Sequence, residues 1–259
     1  LFVLLGSGVW IALSLMGVGV IGMMLFSSAP IGKVMATTVF TSNNSWALTS
    51  LPLFIWMAEI LFRTRLSEDM FSGLAPWVER LPGRLLHVNI VGCGAFAAVS
   101  GSSAATCVTI GKMSMPELKR RGYNEQMTIG SLAGAGTLGL LIPPSIMMIV
   151  YGLVAEVSIA RLFIAGVLPG IMLMCLFMGY VIIWALLNPS KVPPADLRMS
   201  FAEKIYTSRR LIPGTLVIVA VIGSIYAGYA TPTEAAAVGV LGSICIAVAT
   251  GTFTWKNFA

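Results

Sequence analysis

Seven long stretches of this 259-residue chain contain no Asp, Glu, Lys or Arg. They cover residues 1–32, 34–58, 85–111, 126–155, 162–190, 211–233 and 235–255. Several are longer than the ~20 apolar residues with which an α-helix crosses a bilayer. Only 10% of all residues are charged, whereas a soluble domain has about 25%. The sequence therefore predicts an all-α, polytopic membrane protein, and excludes a soluble enzyme, a disulfide scaffold and a nucleic-acid-binding module.

The positively charged residues are concentrated in a few segments, which predicts the orientation of the chain in the membrane. Lys and Arg accumulate in cytoplasmic loops of membrane proteins. Of the 16 Lys and Arg residues, 14 lie in segments 63–84, 112–121 and 188–210 or at Lys256, and only Lys33 and Arg161 lie elsewhere. We therefore expect these segments on the cytoplasmic side.

Residues 85–111 lie between two of these segments, so this apolar stretch must enter and leave the membrane on the same side. Near its middle is the sequence Ser100, Gly101, Ser102, Ser103. Two arms of ~13 residues would each reach ~20 Å, about two-thirds of the way across a bilayer. Non-helical backbone at that depth is tolerated only where it is buried in protein or lines a cavity. The sequence thus predicts a re-entrant hairpin over 85–111 with these four residues at its tip.

The other apolar stretches then cross the membrane alternately, at 1–26, 46–62, 126–155, 162–187, 211–227 and 235–251. Residues 65–81 carry too much charge to cross, but their apolar residues recur at helical spacing. This pattern predicts an amphipathic helix at the cytoplasmic interface. Residues 188–210, which contain three prolines, are predicted to form a polar cytoplasmic linker.

The stretch 126–155 contains the tandem Pro143 and Pro144. Two prolines in succession lack N–H donors and clash with the preceding turn, so a helix must break here and a new half-helix must start around Ser145. Carbonyls before such a break suit cations, and the N-terminal end of the new helix suits an anion. Broken helices of this kind form the substrate and ion sites of secondary transporters. The alternative is a simple proline kink.

The predicted hairpin contains no carboxylate between Arg84 and Lys112. A cation bound at its tip would therefore be held by hydroxyl and carbonyl oxygens. Such neutral ligands suit a monovalent ion such as sodium better than Zn²⁺ or Mg²⁺. The alternative is a packing patch of small residues. Glu234 precedes an Ala-rich helix and is open to two roles, helix capping with Thr231 or Thr233, or a functional one.

Enzyme chemistry has no support in the sequence, and we expect neither catalytic residues nor a cofactor. There is no G-x-S-x-G, Walker A or zinc-ligand pattern. Two matches to G-x-G-x-x-G, starting at Gly17 and Gly134, lack the strand–turn–helix context that gives this pattern meaning. His87, the only histidine, has no acidic or metal-binding neighbour in the sequence.

Five segments carry a recognisable pattern, namely SLPLFIWMAEIL (50–61), AAVSGSSAATCVTIGKMSMPELKRRGY (97–123), LGLLIPPSIMMIVYG (138–152), SIARLFIAGVLPG (158–170) and GYATPTEAAAVG (228–239). With them the chain resembles the large permease subunit of tripartite ATP-independent periplasmic (TRAP) transporters, the DctM-like family. The resemblance implies sodium-coupled import of organic acids, such as C4-dicarboxylates, sialic acid or keto acids, by an elevator mechanism in the bacterial inner membrane. It also implies two partners, a small membrane subunit and a periplasmic substrate-binding protein.

The same resemblance assigns roles to individual residues. One sodium site would be formed by Ser100, Gly101, Ser102, Ser103, Gly139, Ile142, Pro143 and Pro144. The residues facing the substrate would be Ser102, Ser103 and Ser145.

The family is built from two inverted repeats, which divides this chain into three parts. The first repeat would span 1–187, the linker 188–210, and the start of the second repeat 211–259. Because no second hairpin follows, we expect the second repeat to be truncated. Two other functions are compatible with the same features. One is an ion channel or pore whose re-entrant loop forms a filter, and the other is a non-transporting membrane scaffold.

Overall fold

A computed structural model of the chain describes residues 1–64, 66–194 and 199–252, and these residues form helices and no β-strand. The α-helices, in chain order, are α1 (Phe2–Gly6), α2 (Ile11–Phe26), α3 (Ile31–Asn43), α4 (Ser50–Phe62), α5 (Leu66–Val78), α6 (Leu86–Ser100), α7 (Ser103–Arg120), α8 (Glu125–Gly136), α9 (Ile146–Val154), α10 (Ile159–Leu187), α11 (Phe201–Ser208), α12 (Ile212–Tyr226) and α13 (Pro232–Ala249). Four 3₁₀ helices join them, at Trp46–Thr49, Thr137–Leu140, Pro189–Lys191 and Arg209–Leu211. The predicted all-α fold is confirmed.

Within the described residues, three helical segments are long and apolar enough to cross a membrane. They are Ile159–Leu187, Phe201–Tyr226 and Pro232–Ala249. Large apolar side chains on these segments are exposed, for example Leu168 and Leu187 at 76% each. Exposed leucines at this density are typical of a lipid-facing helix. Helices α2 and α6 are apolar but shorter than a full span.

The chain divides into two compact units, of which the first is Leu1–Ser45. It contains α1, α2 and α3. The sequence predicts one crossing helix over 1–26, whereas the structure has α1 and α2 with an interruption between them. Gly8 lies in this interruption with φ +82°, a conformation that ends a helix and that glycine adopts without steric cost.

The second unit begins at Trp46 and is organised around α6. Thirteen of the 15 residues of α6 are buried, which makes it a core helix surrounded by protein on all sides. Helices α4, α5, α7, α8 and α10 pack against it. On the α4 side, the rings of Phe62 and Phe96 stack with centroids 4.9 Å apart.

Helices α6 and α7 form the hairpin that the charge distribution predicts. The segments that flank the hairpin meet at its open end, where the Leu85 N–H donates to the Tyr123 hydroxyl at 3.3 Å. The chain therefore enters and leaves the hairpin at the same end. The second arm continues past residue 111 to Arg120, because Glu117 pairs with Arg120 and Arg121 over the last helical turn. That this hairpin is re-entrant in a bilayer stays a prediction.

The predicted amphipathic helix at 65–81 corresponds to α5, and its apolar side faces protein. Met70, Ala75 and Val78 are buried, and α5 packs against α6, α7 and α11. Arg65, Arg198 and Lys256, which contribute to the charge argument, lie outside the described residues.

The structure differs from the prediction in the segment 188–210, which includes the helix α11. Ser200 and Glu203 form a reciprocal capping box at its start, a sequence signal that favours a helix. The helix is fixed to α5, since Lys204 Nζ donates to the Pro76 carbonyl at 2.5 Å and Trp77 Nε1 donates to Ser208 Oγ at 2.7 Å. Part of the predicted linker is therefore a docked helix.

The same-side arrangement of the hairpin ends can be tested with cysteines at Arg80 and Lys112, both exposed. In a variant without the four native cysteines, neither position should react with a membrane-impermeant thiol reagent added to intact cells, and both should react after permeabilisation. A cysteine at Tyr229, which is 89% exposed and predicted to lie outside, is the positive control. Labelling of one hairpin end from outside would make residues 85–111 a crossing segment.

Candidate functional site

The helix predicted to break at the tandem prolines does so. Helix α8 ends at Gly136, the 3₁₀ helix Thr137–Leu140 follows, and α9 starts only at Ile146. The N–H groups of Leu141 and Ile142 both donate to the Leu138 carbonyl, at 3.0 and 2.9 Å. We call residues 137–145 the break. Its Pro143–Pro144 peptide bond is cis.

The hairpin tip consists of Ser100, Gly101, Ser102 and Ser103. Gly101 has φ +59° and ends α6, and Ser102 caps α7 by accepting a hydrogen bond from the Ala105 N–H at 3.4 Å. The hydroxyls of Ser100 and Thr106 are 2.5 Å apart, so a hydrogen bond joins the two arms behind the tip. The turn therefore needs a residue that tolerates a left-handed conformation and a second residue that can cap a helix.

The tip and the break touch each other. The Ile146 N–H donates to the Gly101 carbonyl at 3.2 Å. A Cβ atom on Gly139 would lie 2.9 Å from the carbonyl carbon of Ser102 and from the Ser103 nitrogen, and a Cβ atom on Gly101 would lie 2.9 Å from the Pro144 carbonyl oxygen. Only glycine at these two positions permits so close an approach of backbone to backbone.

The structure thus brings the predicted site residues together in one region. They differ in accessibility, because Ser102 and Ser103 are half-buried whereas Gly101, Pro143 and Pro144 are buried. The remaining predicted residues are the buried Ser100 and Gly139, the half-buried Ile142 and the buried Ser145. The Ser145 hydroxyl donates to the Leu140 carbonyl at 2.9 Å, so contact with a substrate would require this bond to be exchanged. The ion and substrate roles of these residues stay predictions.

Four helix ends meet at this site, and their dipoles have two signs. Helices α7 and α9 begin here, and α6 and the 3₁₀ turn after α8 end here. The N-terminal ends present N–H groups and positive potential, and the C-terminal ends present carbonyl oxygens and negative potential. Within the described residues there is no group of three His, Cys, Asp or Glu side chains that could hold a metal ion. The site can therefore offer hydroxyls, carbonyls and N–H groups to a small cation and a small anion.

Two residues of α10 support the break and were not among the predicted site residues. A Cβ atom on Gly166 would lie 2.7 Å from the Leu141 carbonyl oxygen, and one on Gly170 would lie 2.9 Å from Ile142 Cγ1. The two glycines are four residues apart on one helix face, which is the small-residue pattern of closely packed membrane helices. That spacing in the sequence could have identified them.

The two roles considered for Glu234 are decided in favour of capping. Its carboxylate accepts from the Thr231 N–H at 2.7 Å, and its own N–H donates to the Thr231 hydroxyl at 3.4 Å. This reciprocal pair starts α13.

Comparison with known proteins places these elements in a family. The model of the family described as "Tripartite ATP-independent periplasmic transporter, DctM component" matches residues 1–259. The chain is 36% identical to a C4-dicarboxylate TRAP transporter large permease protein of Pseudomonas aeruginosa, over 89% of this chain and 53% of that protein. It is 35% identical to an ectoine/5-hydroxyectoine TRAP transporter large permease protein of Ruegeria pomeroyi, over 87% and 52%. It is 32% identical to an isethionate TRAP transporter permease protein of Oleidesulfovibrio alaskensis, over 95% and 38%. The chain thus spans about half the length of the first two relatives and less of the third.

Proposed function

This chain belongs to the DctM component family of tripartite ATP-independent periplasmic transporters, and from this premise we propose that it forms part of a sodium-coupled importer of a small organic acid. Relatives are named for C4-dicarboxylate, ectoine and isethionate. The acid class that we propose is that of C4-dicarboxylates, sialic acid or keto acids.

The contact between the hairpin tip and the break carries this proposal. The Ser102 and Ser103 hydroxyls lie where the N-terminal ends of α7 and α9 converge, so a carboxylate bound there would be stabilised by both helix ends. Carbonyl oxygens at the ends of α6 and of the 3₁₀ turn would hold sodium beside it. Binding of the cation would offset the charge of the anion, which gives a physical reason for their coupling.

We further propose that the hairpin and the broken helix move as one body in an elevator mechanism. The hairpin is closed at its open end by the Leu85–Tyr123 hydrogen bond and joined to the break by the Ile146–Gly101 hydrogen bond. Helix α8 packs along both hairpin arms. A body held together at both ends can carry a site across the membrane without exchanging its internal contacts.

The proposed partners are a small membrane subunit and a periplasmic protein that delivers the substrate. The term "tripartite" in the family description supports a three-component assembly. The proposed location is the bacterial inner membrane, in the orientation predicted by the Lys and Arg distribution.

The sodium site can be tested by removing single hydroxyls from the tip. Ser102→Ala and Ser103→Ala should each raise the sodium concentration needed for half-maximal uptake. A hydrogen bond to a charged group contributes about 1.5–3 kcal/mol, and if an ion–oxygen contact is comparable, the expected shift is ~10- to 150-fold. The measurement is uptake by the complete transporter in proteoliposomes, titrated with sodium at saturating substrate and binding protein.

Ser158→Ala is the matched control, because Ser158 caps α10 through a 3.4 Å bond from the Arg161 N–H, as Ser102 caps α7. Its sodium titration should equal that of the wild type. If both tip variants also titrate like the wild type, the serines only pack the hairpin and the proposed sodium site is wrong.

A further inference from the structure

A second cavity, of about 600 Å³, lies between α8 and α10 and includes no residue of the tip or the break. Its size is within the range of roughly 300–1,000 Å³ typical of small-ligand sites. Apolar side chains form its floor, among them Ile90 of α6, Met127 of α8, and Leu176 and Phe177 of α10. This depth of the cavity suits a hydrocarbon group.

The void exists because one face of α8 lacks side chains. No atom lies within 4 Å of the position that a Cβ atom on Gly130 would occupy, and a Cβ atom on Gly134 would meet only the Phe177 ring, at 3.5 Å and beyond. An unfilled apolar space loses the dispersion contacts of its lining. A flexible chain that enters this space would restore them.

The mouth of the cavity is polar and positively charged. Lys191 lies there with Asn124 and Gln126, and none of the cavity's lining residues is acidic. Lys191 is exposed and makes no ion pair with any residue that the structure describes. Asn124 uses its Oδ1 to accept from the Met127 N–H at 2.9 Å, which leaves its amide N–H groups for a ligand. These donors complement a phosphate group.

Two aromatic residues stand between the polar mouth and the apolar floor. Tyr180 and Trp184 line the cavity one helical turn apart, near the end of α10 that the Lys and Arg distribution assigns to the cytoplasmic side. Tyr and Trp concentrate at this level of a membrane, where lipid headgroups begin. The sequence of layers in the cavity is that of a phospholipid: charged head, interface, hydrocarbon.

We propose that this cavity is a specific site for an anionic phospholipid, with one acyl chain along Gly130 and Phe177 and the phosphate at Lys191, Asn124 and Gln126. Cationic pockets between membrane helices on the cytoplasmic side bind such headgroups. A soluble organic anion would leave the apolar floor unfilled.

The test uses the fluorescence of Trp184 in the complete transporter, with its other tryptophans replaced by phenylalanine. The protein is reconstituted in phosphatidylcholine vesicles that contain increasing fractions of brominated phosphatidylglycerol. A specific site should give quenching that saturates at a low mole fraction, and brominated phosphatidylcholine should give only a gradual rise. Quenching that rises gradually and equally with both lipids would overturn the proposal.

Two variants separate the headgroup from the chain. Lys191→Gln should reduce the preference for phosphatidylglycerol about fivefold, the effect of one cation near an anionic lipid surface. Gly130→Leu should abolish the saturating component by filling the cavity. Gly179→Leu is the control, because Gly179 also has no atom within 4 Å but does not line the cavity. Equal quenching in Gly130→Leu and Gly179→Leu would contradict the site.

Two further measurements make the result independent of the tryptophan replacements and of the ligand's source. Native mass spectrometry of the otherwise unaltered transporter should show one more retained phosphatidylglycerol in the wild type than in Lys191→Gln. Inorganic phosphate in excess should leave the quenching unchanged. If phosphate abolishes it, the cavity is a site for a soluble phosphate and the lipid assignment is wrong.

Discussion

Gly101→Ala should reduce sodium-driven uptake by the complete transporter about 30-fold or more. The new Cβ atom would lie 2.9 Å from the Pro144 carbonyl oxygen at a residue whose φ is +59°. A left-handed conformation costs a non-glycine residue roughly 1–2 kcal/mol, and overpacking costs ~1–3 kcal/mol more. Even the lower sum, ~2 kcal/mol, corresponds to about a 30-fold smaller population of the state in which tip and break touch.

Gly139→Ala isolates the crowding from the backbone strain, because this glycine is crowded by the Ser102 and Ser103 backbone but lies outside the left-handed region. Its uptake should fall less than that of Gly101→Ala. Gly223→Ala is the control, since a Cβ atom there has a single neighbour, the Val219 side chain, at 4.0 Å. Uptake is measured in proteoliposomes at equal amounts of inserted protein. Wild-type uptake in Gly101→Ala would mean that the close contact between tip and break is not needed for transport.

The double variant Pro143→Ala, Pro144→Ala should lose at least about 30-fold of uptake while still inserting into the membrane. Each proline disfavours a helix by about 3 kcal/mol relative to alanine, so both replacements together favour a continuous helix by up to ~6 kcal/mol. A third of that value already gives the 30-fold effect. A continuous helix would close over the carbonyls that the proposed sodium site uses.

Pro116→Ala is the matched control for this experiment. Pro116 lies inside α7, which remains helical around it, so its replacement restores a donor without closing a break. This variant should transport at close to the wild-type rate. If the double variant at the break does the same, residues 137–145 form a kink without a role in the site.

The hairpin and the break could be predicted from the sequence because both follow from effects that act along the chain. The Lys and Arg distribution places both ends of residues 85–111 on one side, and two prolines interrupt a helix wherever they stand. The contact between Gly101, Gly139 and Pro144 could not be derived in this way. It depends on the packing of separate helices in three dimensions, as does the support that Gly166 and Gly170 give to the break.

The helix α11 is a different case, because its signal was local and present in the sequence. Ser200 and Glu203 have the spacing of a capping box, but the prolines and charges of residues 188–210 favoured a linker. The anchoring contacts of Lys204 and Trp77 are long-range and had no sequence signal. Tertiary contacts thus decided how this segment is used.

The docking of α11 on α5 has a mechanical consequence. Phe201–Tyr226 is one helical segment of 26 residues, a rod about 39 Å long at 1.5 Å per residue. One end of the rod is held on α5 through Lys204 and Trp77, and the rest leads into α12 and the proposed second repeat. A rod held at one end acts as a lever: a tilt of 10° at its far half moves a point ~20 Å away by about 3.5 Å. Since α5 packs on the hairpin arm α6, leverage exerted by the second repeat reaches the first through this fulcrum.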